Sequence, residues 1–287
     1  MKNNLLGLSF AALWASASVV TKIGLKSGQP LIISDVRFLT AGILMLIWAY
    51  PIKKYRLPRG AEWRQLFIYG ALNVAIYLGL FVLALKNVSA GIATLSIAVN
   101  PLIISILSAV WLKRKITTNI YLGLALGLAG VFIAVYPLLQ KSYATPAGLF
   151  LLFSSMFSYS VGTVYFSSID WKLPVTTING WQIFFGGLLL LPATLFFSDF
   201  QKQHWDFIFW TSTFWLIFVV SITAVQLWLY LLKIEPVKTA LWLYLCPIFG
   251  FVYAYFILNE PISVYTLIGT LFVLLGLSIG QKKIRAS

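Results

Sequence analysis

Long apolar runs separated by short polar segments make up most of the chain. Each run is about 20 residues long, which is the length that an α-helix needs to cross the hydrocarbon core of a bilayer. The runs are continuously apolar rather than alternating, and backbone polar groups in lipid must be satisfied within their own segment, so the pattern predicts membrane-spanning helices. Ten spans are predicted, at residues 5–25, 31–50, 66–85, 90–112, 118–138, 147–169, 174–197, 208–232, 237–258 and 263–280. The predicted fold class is an all-α integral membrane protein.

The composition leaves no room for a water-soluble domain. Of the 287 residues, 60% are hydrophobic and only 10% are charged, whereas soluble domains carry about 25% charged residues. Spans of about 20 residues each would use most of the chain and leave the rest for connections and termini. A soluble globular enzyme is excluded on this ground.

The basic residues are distributed unevenly along the chain. There are 21 Lys and Arg against 7 Asp and Glu, which gives a net charge of +14. With a cytoplasmic N-terminus, fifteen of the basic residues fall in inner segments and four in outer loops, and the largest inner group lies at 53–64. This positive-inside bias predicts that both termini are cytoplasmic. Because it also accounts for the excess charge, no nucleic-acid partner is expected.

The first span has an alternative interpretation as a cleavable signal peptide. Lys2, the apolar stretch 5–14 and the small residues at 15–17 are typical of such a leader. Cleavage would leave nine helices, and an intact mass lacking the first 17 residues would reveal it.

The two halves of the chain resemble each other weakly. An offset of 146 positions superposes Pro101 on Pro247, Ile116 on Ile262, Gly123 on Gly269, and Gly130 on Gly276. The halves are predicted to divide at 1–140 and 141–287, with five helices each. Because five is odd, the halves would insert in opposite orientations and form an inverted repeat, an arrangement typical of carriers that work by alternating access.

Eight short motifs follow one another along the whole chain. They are Leu13-Trp14-Ala15-Ser16 with Lys22, Val36-Arg37-Phe38, Ala84-Leu85-Lys86, Asn100-Pro101, Leu232-Lys233, Cys246-Pro247, Leu258-Asn259-Glu260-Pro261 and the pair Gly269/Gly276. In this order and spacing they resemble the drug/metabolite transporter superfamily, in its EamA-like branch of ten helices. The resemblance implies a bacterial inner-membrane carrier, often an exporter of amino acids or related metabolites. It also implies a central cavity lined by the first, third, fourth, sixth, eighth and ninth helices.

Polar and aromatic residues at helical spacing provide the candidate substrate site. The stripes fall on spans that the resemblance assigns to the cavity, and they suit a small polar or zwitterionic metabolite, above all an amino acid. The candidate binding residues are Trp14, Asn73, Tyr77, Phe81, Ser96, Asn100, Tyr159, Gln226, Tyr230 and Trp242. Alternatively, Ser, Thr and Asn hold membrane helices together, and tyrosines near helix ends form interfacial belts.

Charged residues and prolines supply candidates for gates and kinks. Lys22 and Asp35 are predicted to pair across the first hairpin, although Lys22 is near enough to the surface to snorkel instead. Lys86 and Lys233 close corresponding helices and are candidates for gates or for interfacial anchors. Pro101 and Pro247 are predicted to kink their helices.

Several other functions lack the residues that they require. No acidic residue occurs in the middle of a predicted span, no GxxxxGK[ST] motif is present, and one Cys and one His are too few for a zinc site. We therefore expect no metal, no cofactor and no ATP hydrolysis. An intramembrane enzyme or a channel remains as an alternative of another class. An organic-anion or phosphorylated-metabolite exchanger would require Lys or Arg converging on the cavity, where this sequence offers Asn, Gln and Tyr.

The expected partners are a small-molecule substrate and the lipid bilayer. Gly123 and Gly127 form a GxxxG pair that would suit a dimer face, but such residues more often allow close packing within one bundle. A monomer is therefore favoured over a homodimer.

Overall fold

The structure is a computed structural model that describes residues 2–85, 87–88, 93, 96–97, 99–113, 116–141, 145–258 and 264–281. Lys86 and the motif residues 259–261 lie outside the described residues. The helices are α1 Lys2–Gly24, α2 Pro30–Ile52, α3 Ala61–Ala84, α4 Asn100–Trp111, α5 Thr118–Lys141, α6 Pro146–Ser168, α7 Val175–Phe197, α8 Phe207–Ile234, α9 Pro236–Ile257 and α10 Val264–Gln281.

The predicted all-helical membrane fold is confirmed. In the described part of the chain, α1, α2, α3, α6, α7, α8 and α9 are seven helices long and apolar enough to cross a membrane. Shorter apolar stretches cover Asn100–Trp111, Thr118–Gly130 and Leu267–Gly280, within the fourth, fifth and tenth predicted spans. The chain is therefore a multi-pass membrane protein.

Local sequence signals set where several helices begin. Thr145 caps α6, because its hydroxyl accepts a hydrogen bond from the Gly148 N–H at 3.1 Å, and Pro146 occupies the first turn. Asp206 caps α8 in the same way, with its carboxylate accepting from the Phe209 N–H at 2.9 Å. These caps satisfy N–H groups that have no partner within the helix.

Two long helices change their winding in mid-course. Residues Ala71–Ile76 of α3 and Leu216–Ala224 of α8 are π-helical. A π-helix closes its hydrogen bonds over five residues rather than four, and such segments are frequent at functional sites. Side chains beyond each segment therefore point in directions that α-helical spacing does not predict.

The helices pack in matched pairs. α2 lies against α7, and α5 lies against α10. α1 contacts α8 and α9, while α6 contacts α3 and α4. If each helix is replaced by the one five places along the chain, the same set of contacts is obtained.

Glycines bring α5 and α10 into close contact. A Cβ atom at Gly123 would lie 2.7 Å from the carbonyl oxygen of Gly276, and one at Gly130 would lie 2.5 Å from the carbonyl oxygen of Gly269. Since the partner number falls as the residue number rises, the two helices run antiparallel. The glycines that formed the predicted GxxxG pattern are thus buried within the chain, where larger side chains would force the helices apart.

The loop between α7 and α8 is fastened to the α1–α2 loop. The Ser27 hydroxyl donates to the Asp206 carboxylate at 2.8 Å, the His204 N–H donates to the Ser27 carbonyl at 2.9 Å, and the Gln29 N–H donates to the Gln203 side-chain oxygen at 2.8 Å. The hydrogen bonds from Phe209 and Ser27 hold the pKa of the Asp206 carboxyl below its usual range. These contacts close this end of the bundle.

Candidate functional site

Six aromatic side chains meet in the centre of the bundle. This aromatic cluster consists of Phe10, Trp14, Tyr77, Phe81, Tyr159 and Trp228, all buried. The ring centroids lie 4.8 Å apart for Phe10 and Trp228, 5.9 Å for Tyr159 and Trp228, and 4.7 Å for Tyr77 and Tyr159. The cluster joins α1, α3, α6 and α8, so both halves of the chain contribute to it.

Two polar groups within the aromatic cluster have no partner among the described residues. They are the Tyr159 hydroxyl and the Trp228 indole N–H, in side chains that are each 2% exposed. A buried donor without a partner costs about 1–3 kcal/mol, so such groups are rare in structural cores. Their position suits hydrogen bonding to a bound molecule.

A small chamber lies beside the aromatic cluster. It is lined by Trp14, Ala17, Ser18, Thr21, Arg37, Tyr77, Leu78, Phe81, Val82 and Ile97. Its free space is only about 20 Å³, which is room for about one water molecule. The structure therefore shows a contracted conformation, and a metabolite would require the helices to move apart.

Arg37 brings a positive charge to the wall of this chamber. Arg37 is 5% exposed, and its Nε donates to the Ser221 hydroxyl at 2.7 Å. The guanidinium carbon lies 5.1 Å from the centre of the Phe38 ring. No ion pair to Arg37 exists within the described residues.

A chain of buried amides leads to Arg37 from three other helices. The Asn73 amide donates to the Gln182 side-chain oxygen at 2.9 Å, and the Gln182 amide donates to the Asn179 side-chain oxygen at 2.9 Å. The Asn179 amide donates to the Ser221 carbonyl at 3.1 Å. We refer to Arg37, Asn73, Asn179, Gln182 and Ser221 as the polar network. It ties α2, α3, α7 and α8 together at the depth of the chamber.

The predicted ion pair between Lys22 and Asp35 is wrong for this conformation. Both carboxylate oxygens of Asp35 are buried, the carboxylate interacts with the Thr194 hydroxyl of α7, and no ion pair to Lys22 is formed in the described part of the chain. Asp35 lies on α2 between Leu31 and Phe38, which pack in a separate apolar cluster with residues of α3 and α7. The α2 helix therefore directs the Asp35 side chain toward this apolar cluster and away from α1.

Four predicted binding residues come together as expected. Trp14, Tyr77, Phe81 and Tyr159 all belong to the aromatic cluster. Asn73 belongs to the polar network instead. Its carbonyl oxygen has no partner among the described groups, while its amide is directed to α7.

Asn100 connects helices rather than lining the chamber. Its amide donates to the Met156 sulfur at 3.2 Å, and its side-chain oxygen accepts from the Ser160 hydroxyl at 3.2 Å. The Ser96 hydroxyl donates to the Ala93 carbonyl at 2.7 Å, which is a local bond along its own segment. Trp242 is buried against Gly7, where a Cβ atom would lie 2.2 Å from the indole ring.

Two predicted binding residues of α8 point away from the aromatic cluster. Tyr230 is 43% exposed. The Gln226 amide donates to the Thr176 hydroxyl at 2.8 Å and lies in a lateral groove between α2, α7 and α8. Both residues lie in the α-helical part of α8 that follows its π-helical segment, and the buried face of α8 carries Ser221, Val225 and Trp228 instead.

Lys233 and the two prolines lie near the ends of regular α-helical segments. The Lys233 ammonium donates to the Leu173 carbonyl at 3.3 Å and borders a cavity of about 180 Å³ with Trp171 and Leu232. Pro101 occupies the first turn of α4, and Pro247 lies within α9, in the first turn of the α-helical segment that follows the 3₁₀ segment Leu241–Tyr244. Each proline thus stands next to an interruption of regular α-helix.

Sequence reasoning missed Phe10, Arg37 and Trp228. Phe10 lies one helical turn before Trp14, and that spacing to an aromatic candidate is the signal that could have found it. Arg37 is a charged residue within an apolar run, which makes it a functional candidate by default. Trp228 lies on the face of α8 that carries Ser221 and Val225, and only the packing shows that this face is the buried one.

Comparison with known proteins identifies the fold and the class of protein. The EamA-like transporter family matches residues 1–136 and again residues 146–279. The chain is 25% identical to the uncharacterized transporter YvbV of Bacillus subtilis, over 96% of this chain and 90% of that protein. It is 26% identical to protein PecM of Dickeya dadantii, over 93% and 88%, and 28% identical to the uncharacterized inner membrane transporter YedA of Escherichia coli, over 85% and 79%.

The fold is also found among solved structures, and one such match is a protein crystal structure. It superposes with a TM-score of 0.79 at 14% sequence identity and covers 98% of this chain and 96% of that chain. Two family matches that together span nearly the whole chain leave no other assignment. The chain belongs to the EamA-like transporter family.

Proposed function

We propose that this chain is a secondary transporter that moves small polar or zwitterionic metabolites, with amino acids as the leading class, out of the cell across the inner membrane. Ten helices in two inverted halves of five, with both termini in the cytoplasm, alternate between conformations open to each side. The aromatic cluster is the observation that carries the proposal. It lies where helices of both halves meet, and its two donors without a partner among the described residues are available for hydrogen bonds to a ligand.

The packing pattern supports the inverted repeat. A shift of 146 positions turns the contact between Gly123 and Gly276 into the contact between Gly269 and Gly130. Of the three π-helical segments in the described part of the chain, two also fall in the third helix of each half, in α3 and α8, while Trp48–Ile52 in α2 has no counterpart in α7. A pseudo-two-fold axis in the membrane plane relates two such halves, and the repeat interface is where carriers of this type bind substrate.

The two ends of the bundle support alternating access. The hydrogen bonds among Ser27, Gln29, Gln203, His204 and Asp206 fasten the end that the charge bias assigns to the outside. At the other end, the cavity beside Lys233 has about 180 Å³ of free space. A conformation that is fastened outside and recessed inside corresponds to one state of a cycle in which the two ends open in turn.

The chemistry of the site suits small amphipathic molecules. Stacked rings exclude water from the apolar part of a ligand, and the Tyr159 hydroxyl and Trp228 N–H replace part of its hydration. Because these hydrogen bonds are few, the ligand can dissociate on the other side of the membrane. Export is proposed from the resemblance of the motifs to amino-acid and metabolite exporters.

An organic-anion exchanger is the second candidate within transport, and the position of Arg37 favours it. A channel would conduct without needing two matched halves. Both candidates share the same path through the bundle, so the experiment must distinguish coupled exchange from conduction.

Counterflow in proteoliposomes tests the proposal. Liposomes containing the purified full chain are preloaded with an unlabelled mixture of the standard amino acids and diluted into the same mixture in labelled form. A carrier exchanges across the membrane, so preloading should accelerate the uptake of label. Uptake that is indifferent to preloading, or a voltage-driven current without exchange, would refute the carrier.

A further inference from the structure

Arg37 carries a buried charge for which the described residues offer no counter-ion. The side chain makes one hydrogen bond, from Nε to Ser221, and contacts the face of the Phe38 ring. The ion pairs that the described part of the chain does form all lie elsewhere, at Arg56–Glu62, Asp170–Lys172 and Asp199–Lys202. A guanidinium in such a site retains its charge, and an unpaired buried charge is costly.

The neighbouring Asp35 does not supply the missing charge. Two residues along an α-helix point about 200° apart, so Asp35 and Arg37 face different helices. Asp35 shares a face with Leu31 and Phe38 in a separate apolar cluster, while Arg37 lines the chamber with Thr21 and Tyr77. The two charges lie too far apart to form an ion pair.

The polar network fixes the orientation of the guanidinium. Ser221 accepts from Arg37 through its hydroxyl and from Asn179 through its carbonyl, and Gln182 and Asn73 extend the chain of bonds. A guanidinium has five N–H donors, and Nε uses one of them, which leaves the four donors on the two Nη groups. These donors form the planar fork that binds oxyanions with two parallel hydrogen bonds.

We propose that Arg37 binds an anionic group, a carboxylate or a phosphate, on the transported molecule. The apolar or aromatic part of that molecule lies against Trp14, Tyr77 and Phe81, which border the same chamber. The inference rests on the proposed transport function and deepens it, because it makes an anionic group a requirement for recognition. Neutral and purely cationic metabolites are excluded as substrates.

The experiment measures thermal unfolding of the full chain in detergent with a defined set of compounds. The set contains the standard amino acids, the amides that neutralise their carboxylates, the matching 2-oxo acids, glycerol 3-phosphate and inorganic phosphate. The chains compared are the wild type, Arg37→Met, Arg37→Lys and, as a control, Lys22→Met. Lys22 is a cation on the neighbouring α1 and is not part of the chamber wall.

Carboxylates should stabilise the wild type and the Lys22→Met control, and the corresponding amides should not. Arg37→Met should weaken apparent affinity by about tenfold to a hundredfold, as expected for charge-assisted hydrogen bonds. Arg37→Lys should retain part of the effect, because it keeps the charge and loses the planar fork. Stabilisation by the phosphate compounds alone would assign the anionic group as a phosphate.

Without ligand, Arg37→Met should change the unfolding temperature in the opposite direction. Arg37→Met removes an unpaired buried charge, so its unfolding temperature should equal or exceed that of the wild type. Stabilisation by neutral or cationic compounds that persists in Arg37→Met would overturn the inference, and so would the absence of any stabilising anion. If Arg37→Met does not fold, Arg37→Lys and Ser221→Ala provide the same comparison.

Counterflow with the same chains separates the two proposals. If the wild type and Arg37→Met exchange the amino-acid amides equally well, the transporter stands and the role of Arg37 fails. If no compound of the set is exchanged by the wild type, the transport function itself fails, whatever the thermal shifts show.

Discussion

Buried polar side chains in this protein differ in whether they have partners. Several complete contacts between helices, such as the Ser155 hydroxyl, which donates to the Tyr77 carbonyl at 2.9 Å, and the Ser158 hydroxyl, which donates to the Leu72 carbonyl at 2.7 Å. Others have no hydrogen-bond partner among the described residues, and the Tyr159 hydroxyl and the Trp228 N–H are two of these. The first kind stabilises the bundle. The second kind lowers stability and is retained where a function requires it.

Asp35 should destabilise the conformation described here. Among the described residues, its carboxylate is buried without an ion pair and interacts only with the Thr194 hydroxyl of α7, and a poorly satisfied buried polar group costs about 1–3 kcal/mol. We predict that Asp35→Leu raises the unfolding temperature of the purified protein. Asp199→Asn serves as the control, because Asp199 is exposed and its pair with Lys202 lies at the surface. A lower unfolding temperature for Asp35→Leu would mean that the carboxylate has a stabilising partner.

Trp228 and Tyr230 on α8 provide a matched pair. Trp228 is 2% exposed within the aromatic cluster, whereas Tyr230 is 43% exposed on the other side of the helix. Trp228→Ala should abolish exchange in the counterflow assay and cost about 3–5 kcal/mol of stability. Tyr230→Ala should leave both nearly unchanged. Equal losses in the two variants would contradict the location of the site.

The sequence predicted some of these residues and not others, for physical reasons. Trp14, Tyr77 and Tyr159 could be identified because aromatic residues at helical spacing mark a common face. Arg37 could not be placed, since the direction of its side chain depends on where α2 begins and on which helix lies opposite. The carboxylate of Asp35 was expected to pair with Lys22, and only the packing of α2 against α7 shows that it does not.

Helix geometry accounts for the remaining differences at the level of elements. Gln226 and Tyr230 share one face of the α-helical part of α8, and their spacing does not show that a different face, with Val225 and Trp228, is the buried one. In α3, the segment Ala71–Ile76 separates Asn73, which faces α7, from Tyr77, which faces the chamber. Apolar periodicity thus predicted that these helices exist, and it could not predict a change of winding within them.

Close packing of α5 and α10 should depend on their glycines. A Cβ atom at Gly276 would lie 2.7 Å from both the Gly123 carbonyl oxygen and the Gly127 nitrogen, which are backbone atoms that cannot move aside. Gly276→Ala should therefore destabilise the protein by about 1–3 kcal/mol, measured by thermal unfolding in detergent. Ser278→Ala, at an exposed position of the same helix, is the control. An unchanged unfolding temperature for Gly276→Ala would show that α5 and α10 are not packed in this register.

The fastened end of the bundle should respond to acid. The pKa of Asp206 is lowered by hydrogen bonds from the Phe209 N–H and the Ser27 hydroxyl. A carboxyl with a lowered pKa stabilises the folded form above its ordinary pKa, near 4, and the stabilisation is lost as pH falls through the lowered value. The protection factor of the Phe209 amide against hydrogen exchange should fall below about pH 4 in the wild type. Asp206→Asn should show faster exchange already at neutral pH and no such acid step.

At the level of the whole molecule, charge and apolar length determine how the chain sits in the membrane. The predicted spans overlap helices throughout the described residues, because about 20 apolar residues have few alternatives to a membrane helix. The proposed internal repeat has only weak support in the sequence, from scattered identical residues, and stronger support in the contacts of α5 with α10. Packing symmetry is shared by many residues that need not be identical, which explains why the sequence signal is faint.

The most direct test of the proposed carrier asks whether one chamber residue can be reached from both sides of the membrane. Ser18 lines the chamber, and Cys246 is the chain's single cysteine. In a Cys246→Ala background, Ser18→Cys is exposed to a membrane-impermeant thiol reagent in right-side-out and in inside-out vesicles, with Tyr230→Cys as a lipid-facing control. The account predicts that Ser18→Cys reacts in both vesicle orientations and that Tyr230→Cys does not. Reaction of Ser18→Cys from one side only, or from neither, would contradict alternating access through this chamber.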